Sequence, residues 1–248
     1  MPRIVRLVVL ALALASLAGC ARHPDPPGLE LERALVPDLV ALNEEGIADA
    51  MGAPLRLRPP LSGGLVWLNE SFARTAATGD ARRLVDYYRA GVVEGALAAL
   101  RRAPFEAVAA LPLPPEPEED AAPEALLARV RSAAARFQYD VAFLLETATA
   151  EERGVNPFAL GYLGIVTAPL FPGTDLAASA SAELCAVDVR SGIMLGCARG
   201  RAEASSRTLF IWQVDRARRR LLERTLRESV AAAADDLLIQ ISARVASR

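Results

Sequence analysis

Three cysteines carry most of the chemistry that this sequence offers. A thiol can be acylated, can attack a substrate as a thiolate, or can pair in a disulfide. The usual partners for nucleophilic attack are missing, because the chain contains no lysine and its one histidine, His23, lies close to the amino terminus. The folded part therefore has no Schiff-base amine, no phosphate-loop lysine and no Ser-His or Cys-His dyad. Acylation and disulfide formation remain as the chemistry of cysteine here.

The acidic residues do not form a pattern typical of a catalytic or metal site. Asp235 and Asp236 are adjacent, as are Glu151 and Glu152, so on a helix or strand each pair points apart and cannot share a substrate atom. Residues 118–120 are acidic but lack the glycine-spaced ligands of a calcium loop. A lone histidine does not supply the three or four converging ligands of a metal site. We therefore expect no metal, no cofactor and no enzymatic activity.

The first twenty residues carry the strongest signal. Arg3 and Arg6 flank the start of an apolar run over residues 4–15, and about a dozen residues are too few to cross a bilayer, which takes roughly 20. The run ends in Leu-Ala-Gly followed by Cys20, which resembles the lipobox of bacterial lipoproteins. That resemblance implies that residues 1–19 are a removable signal peptide and that Cys20 is acylated on its thiol and on its new amino group.

The residues after Cys20 predict how the domain is held at the membrane. In enteric-type bacteria an aspartate after the acylated cysteine retains lipoproteins in the inner membrane, so Ala21 implies the periplasmic face of the outer membrane. Residues 20–28 are rich in proline and predict an extended tether that keeps the domain clear of the headgroups. Removal of Arg3 and Arg6 makes the net charge more negative than the −2 of the full chain, which argues against binding to nucleic acid or anionic lipid.

The spacing of apolar residues predicts an α/β fold, with a small mixed sheet, a β-hairpin near the carboxyl end, helices packed on the sheet and a long C-terminal helix. The predicted strands cover 64–68, 105–111, 139–147, 175–189 and 193–204, and the predicted helices cover 81–102, 123–137 and 214–246. Residues 141–145 are continuously apolar, which is typical of the centre of a sheet covered on both faces. We expect residues 29–61 to be an irregular or short-helical lead-in and 62–248 to be a single domain.

One long uncharged segment has no evident place in this sheet. Residues 158–171 contain no charged side chain; they are too few to span a bilayer and too many for one surface strand. We expect part of the segment to pack on the sheet. The rest, around Leu170, Phe171 and Pro172, is predicted to project as a partner-binding surface.

The two remaining cysteines lie on the two strands of the predicted hairpin. A three-residue turn over 190–192 places Cys185 opposite Cys197 and allows a disulfide. A four-residue turn over 189–192 places Cys185 opposite Gly196 and puts the two thiols on opposite faces. The turn sequence favours four residues, because Asp188 can accept from the turn amides, whereas an oxidising compartment favours a disulfide. The sequence leaves both registers open.

Arginines cluster near the start of the last helix. The cluster comprises Arg216, Arg218, Arg219, Arg220, Arg224 and Arg227. It is either a patch for an acidic or phosphate-rich partner or a solvated face partly paired with Glu223 and Glu228. We favour the solvated face, because exposed charge runs are common and the net charge of the chain is slightly acidic.

The order of elements resembles that of lipoprotein domains with a small mixed sheet, such as the amino-terminal domain of TolB-like proteins, the penicillin-binding-protein activators and the curli-secretion lipoprotein. More narrowly, residues 136–141, 161–173, 187–189 and 234–239 resemble the rhombotarget lipoprotein family, over about residues 130–242. The resemblance implies a non-catalytic accessory lipoprotein that meets a protein partner in envelope assembly or surface-protein export. The alternatives are a structural subunit that self-assembles in an outer-membrane complex and, third, an enzyme of unknown reaction.

Overall fold

The central strand of the sheet is β3 (Val141–Val155), as the continuous apolar sequence predicts. The five side chains of residues 141–145 are fully buried, because apolar residues on a central strand are covered from both faces. The computed structural model describes residues 24–26, 28–29, 31, 57–68, 79–112, 123–155, 174–208 and 214–246.

The elements follow one another in the predicted order. They are β1 (Leu61–Leu68), α1 (Gly79–Leu100), β2 (Phe105–Ala110), α2 (Pro123–Arg136), β3, β4 (Thr174–Asp188), β5 (Met194–Thr208) and α3 (Val214–Ala246). The strand order in the sheet is β2-β1-β3-β4-β5, and β1 is parallel to both of its neighbours. Parallel neighbours require a crossover connection, which fits the helices α1 and α2 that follow β1 and β2 in sequence. The predicted fold class, a mixed α/β sheet with a hairpin and a long C-terminal helix, is confirmed.

Three strands extend beyond their predicted limits. β1 begins at Leu61, three residues before the predicted start, and β3 and β5 continue to Val155 and Thr208. Most of the extra residues are glycine, alanine, serine, threonine or charged, so they carry little of the apolar signal on which a sequence-based strand assignment depends. α3 has the predicted bounds, because its apolar stripe continues to its end.

The carboxylate of Asp140 ties the start of β3 to the start of β1. It accepts hydrogen bonds from the amide of Ser62 at 3.0 Å and from the hydroxyl of Ser62 at 2.9 Å, while the amide of Asp140 donates to the carbonyl of Ser62 at 3.0 Å. The carbonyl of Asp140 in turn accepts from the amide of Val189 at 3.0 Å. Ser62 therefore joins β1 to the start of β3.

Helix α3 packs directly on β5 at Gly200. A Cβ atom at this position would lie 1.9 Å from the carbonyl oxygen of Ser229 and 2.6 Å from the amide nitrogen of Ala233. Only a residue without a side chain allows this approach of strand and helix backbones.

The chain forms two compact units. Among the described residues, the smaller unit holds 24–26, 149–155, 174–180, 203–208 and 214–225, and the larger unit holds the rest. The strands β3, β4 and β5 and the helix α3 each contribute residues to both units. The boundaries expected from the sequence for the signal peptide, tether, lead-in and domain stay predictions.

Candidate functional site

A cavity of about 200 Å³ lies within the smaller unit. It is lined by residues 151–153 of β3, residues 176–178 of β4, and Val214, Asp215, Arg218, Leu221 and Leu222 of α3. Six of these side chains are buried and apolar: Leu176, Ala177, Ala178, Val214, Leu221 and Leu222. The α3 residues come together because positions three, four and seven apart share one face of a helix.

A bidentate ion pair crosses the rim of this cavity. Arg218 Nε donates to Glu151 Oε2 at 2.6 Å, and Arg218 Nη2 donates to the second carboxylate oxygen, Oε1. The two side chains are 40% and 36% exposed, so solvent screens the pair and its contribution to stability is small. Its planar two-point geometry nevertheless fixes both side chains at the opening.

A second ion pair lies in the same unit. Arg207 Nε of β5 is 3.1 Å from Asp175 Oδ1 of β4, and the aspartate side chain is only 9% exposed. Since a buried carboxylate needs a charged or hydrogen-bonding partner, we interpret this pair as structural.

The lining of the cavity is apolar with charged groups. Its polar groups are carboxylates and guanidinium groups, and none of its described lining residues is a serine, cysteine or histidine. Its volume is below the roughly 300–1,000 Å³ of pockets that enclose a small-molecule ligand. The space therefore suits a single apolar side chain better than a whole metabolite.

Several residues singled out from the sequence lie outside the described residues. These are Cys20, His23, residues 118–120, residues 161–164, and the predicted partner surface formed by Leu170, Phe171 and Pro172. Their assignments stay predictions. Among the residues that the structure describes, no three histidine, cysteine or acidic side chains lie close enough together to hold a metal ion.

Cys185 and Cys197 are joined by a disulfide in the larger unit, with their Cα atoms 4.1 Å apart. The turn before Cys197 nevertheless has four residues. The amide of Asp188 donates to the carbonyl of Ile193 at 2.9 Å, and the amide of Gly192, at φ 76°, donates to the carbonyl of Asp188 at 2.8 Å. Asp188 Oδ1 also accepts from the amide of Arg190 at 3.0 Å.

The four-residue turn and the disulfide, which were predicted as alternatives, occur together. Cys185 lies three positions before Asp188, whereas Cys197 lies four positions after Ile193. One additional residue on the β5 side therefore shifts the register between the turn and the cysteines. The shift allows the favoured turn and the facing cysteines to coexist.

The segment after Cys20 is not a free spacer where the structure describes it. In the smaller unit, the hydroxyl of Ser179 on β4 donates to the carbonyl of Pro24. In the larger unit, the amide of Leu31 donates to Glu183 Oε2 at 2.9 Å, and Leu31 is itself buried. Pro24 is therefore hydrogen-bonded to β4, and the extended tether over residues 20–28 stays a prediction.

The adjacent aspartates of α3 point apart, as expected. Asp235 Oδ1 is 2.8 Å from Arg102 Nη2, whereas Asp236 Oδ2 accepts from Gln240 Nε2 at 3.2 Å. They have separate structural partners and form no common site.

The sequence analysis did not identify the cavity. It considered Glu151 only as half of an acidic pair and Arg218 only as part of the arginine cluster, with partners sought on the same helix. The two residues are 67 positions apart, and no local spacing connects them. The one available signal was the length of β3, since a strand that continues to Val155 brings Glu151 into the sheet.

No helix in the described parts of the chain is both long enough and apolar enough to cross a membrane.

Comparison with known proteins gave the following results. No family model matches the chain. No curated protein matches it. Among solved structures, it is similar to a hypothetical protein from Chlamydia trachomatis, with 12% identity over 74% of this chain and 94% of that one and a TM-score of 0.29. It is also similar to a minor lipoprotein from Acinetobacter baumannii, with 13% identity, coverage of 76% and 96% and a TM-score of 0.28. A lipoprotein from Neisseria meningitidis has 13% identity, coverage of 76% and 100% and a TM-score of 0.24.

Proposed function

We propose that this chain is a lipid-anchored protein of the bacterial cell envelope that binds a protein partner and catalyses no reaction. The anchor is supported by the apolar leader that ends in Leu-Ala-Gly followed by Cys20. An oxidising compartment is supported by the pairing of Cys185 with Cys197, because disulfides persist mainly outside the cytoplasm. The finer proposal is the periplasmic face of the outer membrane, with a role in envelope assembly or surface-protein export.

The cavity of the smaller unit is the observation that carries the binding role. It combines a buried apolar floor with a fixed ion pair at its opening. Interfaces concentrate their affinity where an apolar side chain enters such a pocket and polar groups surround it. We expect the partner to insert one apolar side chain above Leu221 and Leu222.

Site-specific photocrosslinking in living cells tests this role. A photoreactive residue at Glu152, an exposed lining position, is expected to form an adduct with the partner. The same residue at Ile239, which is 68% exposed and lies in the larger unit, serves as the control position.

Two substitutions then distinguish a partner that binds in the cavity from a protein that only lies near Glu152. Ala178→Leu fills part of the cavity and is expected to abolish the Glu152 adduct, whereas the matched change Ala232→Leu, at an exposed position of α3, leaves it intact. Arg218→Gln alters only the rim and is expected to weaken the adduct. Because this variant keeps every buried residue, its effect does not depend on whether the filled variant folds. An adduct of twice the chain mass would favour the self-assembling subunit, and an adduct insensitive to both substitutions would contradict the role of the cavity.

A further inference from the structure

Very little chain separates the acylation site from the folded protein. Only residues 21–23 lie between Cys20 and Pro24, whose carbonyl is bonded to Ser179. Four extended residues span at most about 14 Å. This step rests on the proposed acylation of Cys20, because an acylated Cys20 then places Ser179 close to the bilayer surface. Ser179 belongs to the smaller unit, so this unit has a residue near the membrane.

The same unit contains the start of α3, where four exposed arginines share one helix face. They are Arg216, Arg219, Arg220 and Arg224. At 3.6 residues per turn, positions separated by three, four and eight residues lie on one side of a helix. The face is defined by these four residues, and we call it the arginine face.

Not every arginine of the smaller unit belongs to the arginine face. Arg218 is held by Glu151 and Arg207 by Asp175. A guanidinium group has five N–H donors, so an arginine of the face can keep a contact within the protein and still donate to an outside acceptor. The described acidic residues of this α3 segment are Asp215 and Glu223, fewer than the arginines beside them.

We propose that the arginine face binds the phosphate groups of anionic phospholipids in the bilayer that carries the anchor. Two features indicate anionic phospholipid as the ligand: the short connection from Cys20 to Pro24, and the positive charge of the arginine face. Guanidinium groups match phosphate oxygens with two parallel hydrogen bonds, and basic residues near an anionic leaflet are attracted to it within about a Debye length. The proposal differs from the expectation, drawn from net charge alone, that the chain has no affinity for anionic lipid.

Chemical modification of arginine tests the proposal on the mature acylated protein. The protein is bound to vesicles of phosphatidylcholine alone or of phosphatidylcholine mixed with phosphatidylglycerol, and treated with phenylglyoxal. Mass spectrometry then gives the modification rate of each arginine. We expect the arginine face to react about fivefold more slowly on the anionic vesicles, the Boltzmann factor for one arginine at an anionic surface. Arg136, an exposed arginine of the larger unit, is the internal control and is expected to react equally on both.

The outcomes separate this proposal from the proposed anchor. If the protein fails to sediment with phosphatidylcholine vesicles, the anchor fails. If it sediments but the arginine face reacts equally on both vesicles, or Arg136 is protected to the same degree, the headgroup site fails. If inorganic phosphate slows the reaction of the arginine face with phenylglyoxal on neutral vesicles, the ligand is free phosphate and the proposed lipid site is wrong. A variant with all four arginines replaced by glutamine is expected to stay membrane-bound through its acyl chains.

Discussion

Glu183 and Arg199 face each other across β4 and β5, with the carboxylate fully buried and the guanidinium side chain 60% exposed. Arg199 Nε donates to Glu183 Oε1 at 2.9 Å, and the other carboxylate oxygen accepts from the amide of Leu31. Arg199 Nη2 also lies 2.9 Å from Glu183 Oε1. A buried carboxylate with these three donors is satisfied, whereas a buried carboxylate that has lost its cation strongly destabilises the fold. Glu183 therefore joins Leu31 of the amino-terminal segment to β4, and its ion pair joins β4 to β5.

Arg199→Leu is expected to lower the free energy of unfolding by about 3 kcal/mol, because it leaves the carboxylate of Glu183 buried without its cation. Adding Glu183→Gln removes the charge but keeps an oxygen for the amide of Leu31, so the double variant is expected to recover about 2 kcal/mol. Urea unfolding, followed by the fluorescence of the buried Trp67, measures the free energy of unfolding of both variants. A double variant no more stable than Arg199→Leu would show that the buried charge is not the cause.

Gly200→Ala is expected to destabilise the protein by about 3 kcal/mol, because the new methyl group would overlap the backbone of α3 at Ser229 and force the strand and helix apart. Gly154→Ala is the matched control. A Cβ there meets no atom within 4 Å, and the position has no positive φ, so the change is expected to be neutral or slightly stabilising. Thermal unfolding of the two variants compares them directly, and equal melting temperatures would contradict the packing of α3 on β5.

The unreduced protein is expected to show no alkylation at Cys185 or Cys197 when unfolded in iodoacetamide and analysed by mass spectrometry. Two adducts at these positions would contradict the bridge. The disulfide joins residues 12 positions apart, and closing a loop of this size stabilises a fold by about 2–3 kcal/mol. A reductant is therefore expected to lower the melting temperature of the wild type and to leave that of a Cys185→Ala, Cys197→Ala double variant unchanged.

Cys20→Ser is expected to abolish labelling of the protein by radioactive palmitate and to cause the uncleaved precursor to accumulate. The thiol of Cys20 is the acylation site that the lipobox resemblance implies, and a hydroxyl does not replace it. Metabolic labelling followed by fractionation of membranes measures both effects, with Cys185→Ala as a control that retains the label. Labelled, processed protein in the Cys20→Ser variant would disprove the anchor.

The sequence predicted those parts of the fold that depend on local patterns. The apolar residues 141–145 identified the central strand, and the stripe on α3 identified both ends of that helix. Asp188 and Gly192 identified the four-residue turn, because side-chain acceptance from turn amides and positive φ are encoded within a few residues.

Relationships between distant residues could not be predicted in this way. The pairing of Arg218 with Glu151 depends on where α3 lies against β3, and the contact of Pro24 with Ser179 depends on the path of the chain across the sheet. Neither leaves a periodic signal. The additional residue between Ile193 and Cys197 is also invisible locally, because a register shift is defined only by the partner strand. For this reason the sequence offered two registers, each correct for a different part of the hairpin.

The disulfide lies just outside the turn that contains Arg190, and this has a consequence for proteolysis. Arg190 is exposed, and trypsin cleaves after arginine. A chain cut once at this position would remain a single covalent molecule, since Cys185 on one fragment stays bonded to Cys197 on the other. The cut protein would still run as one band on a non-reducing gel, and the two fragments would separate only after addition of a reductant. A single band on a non-reducing gel therefore does not prove an intact backbone in this protein.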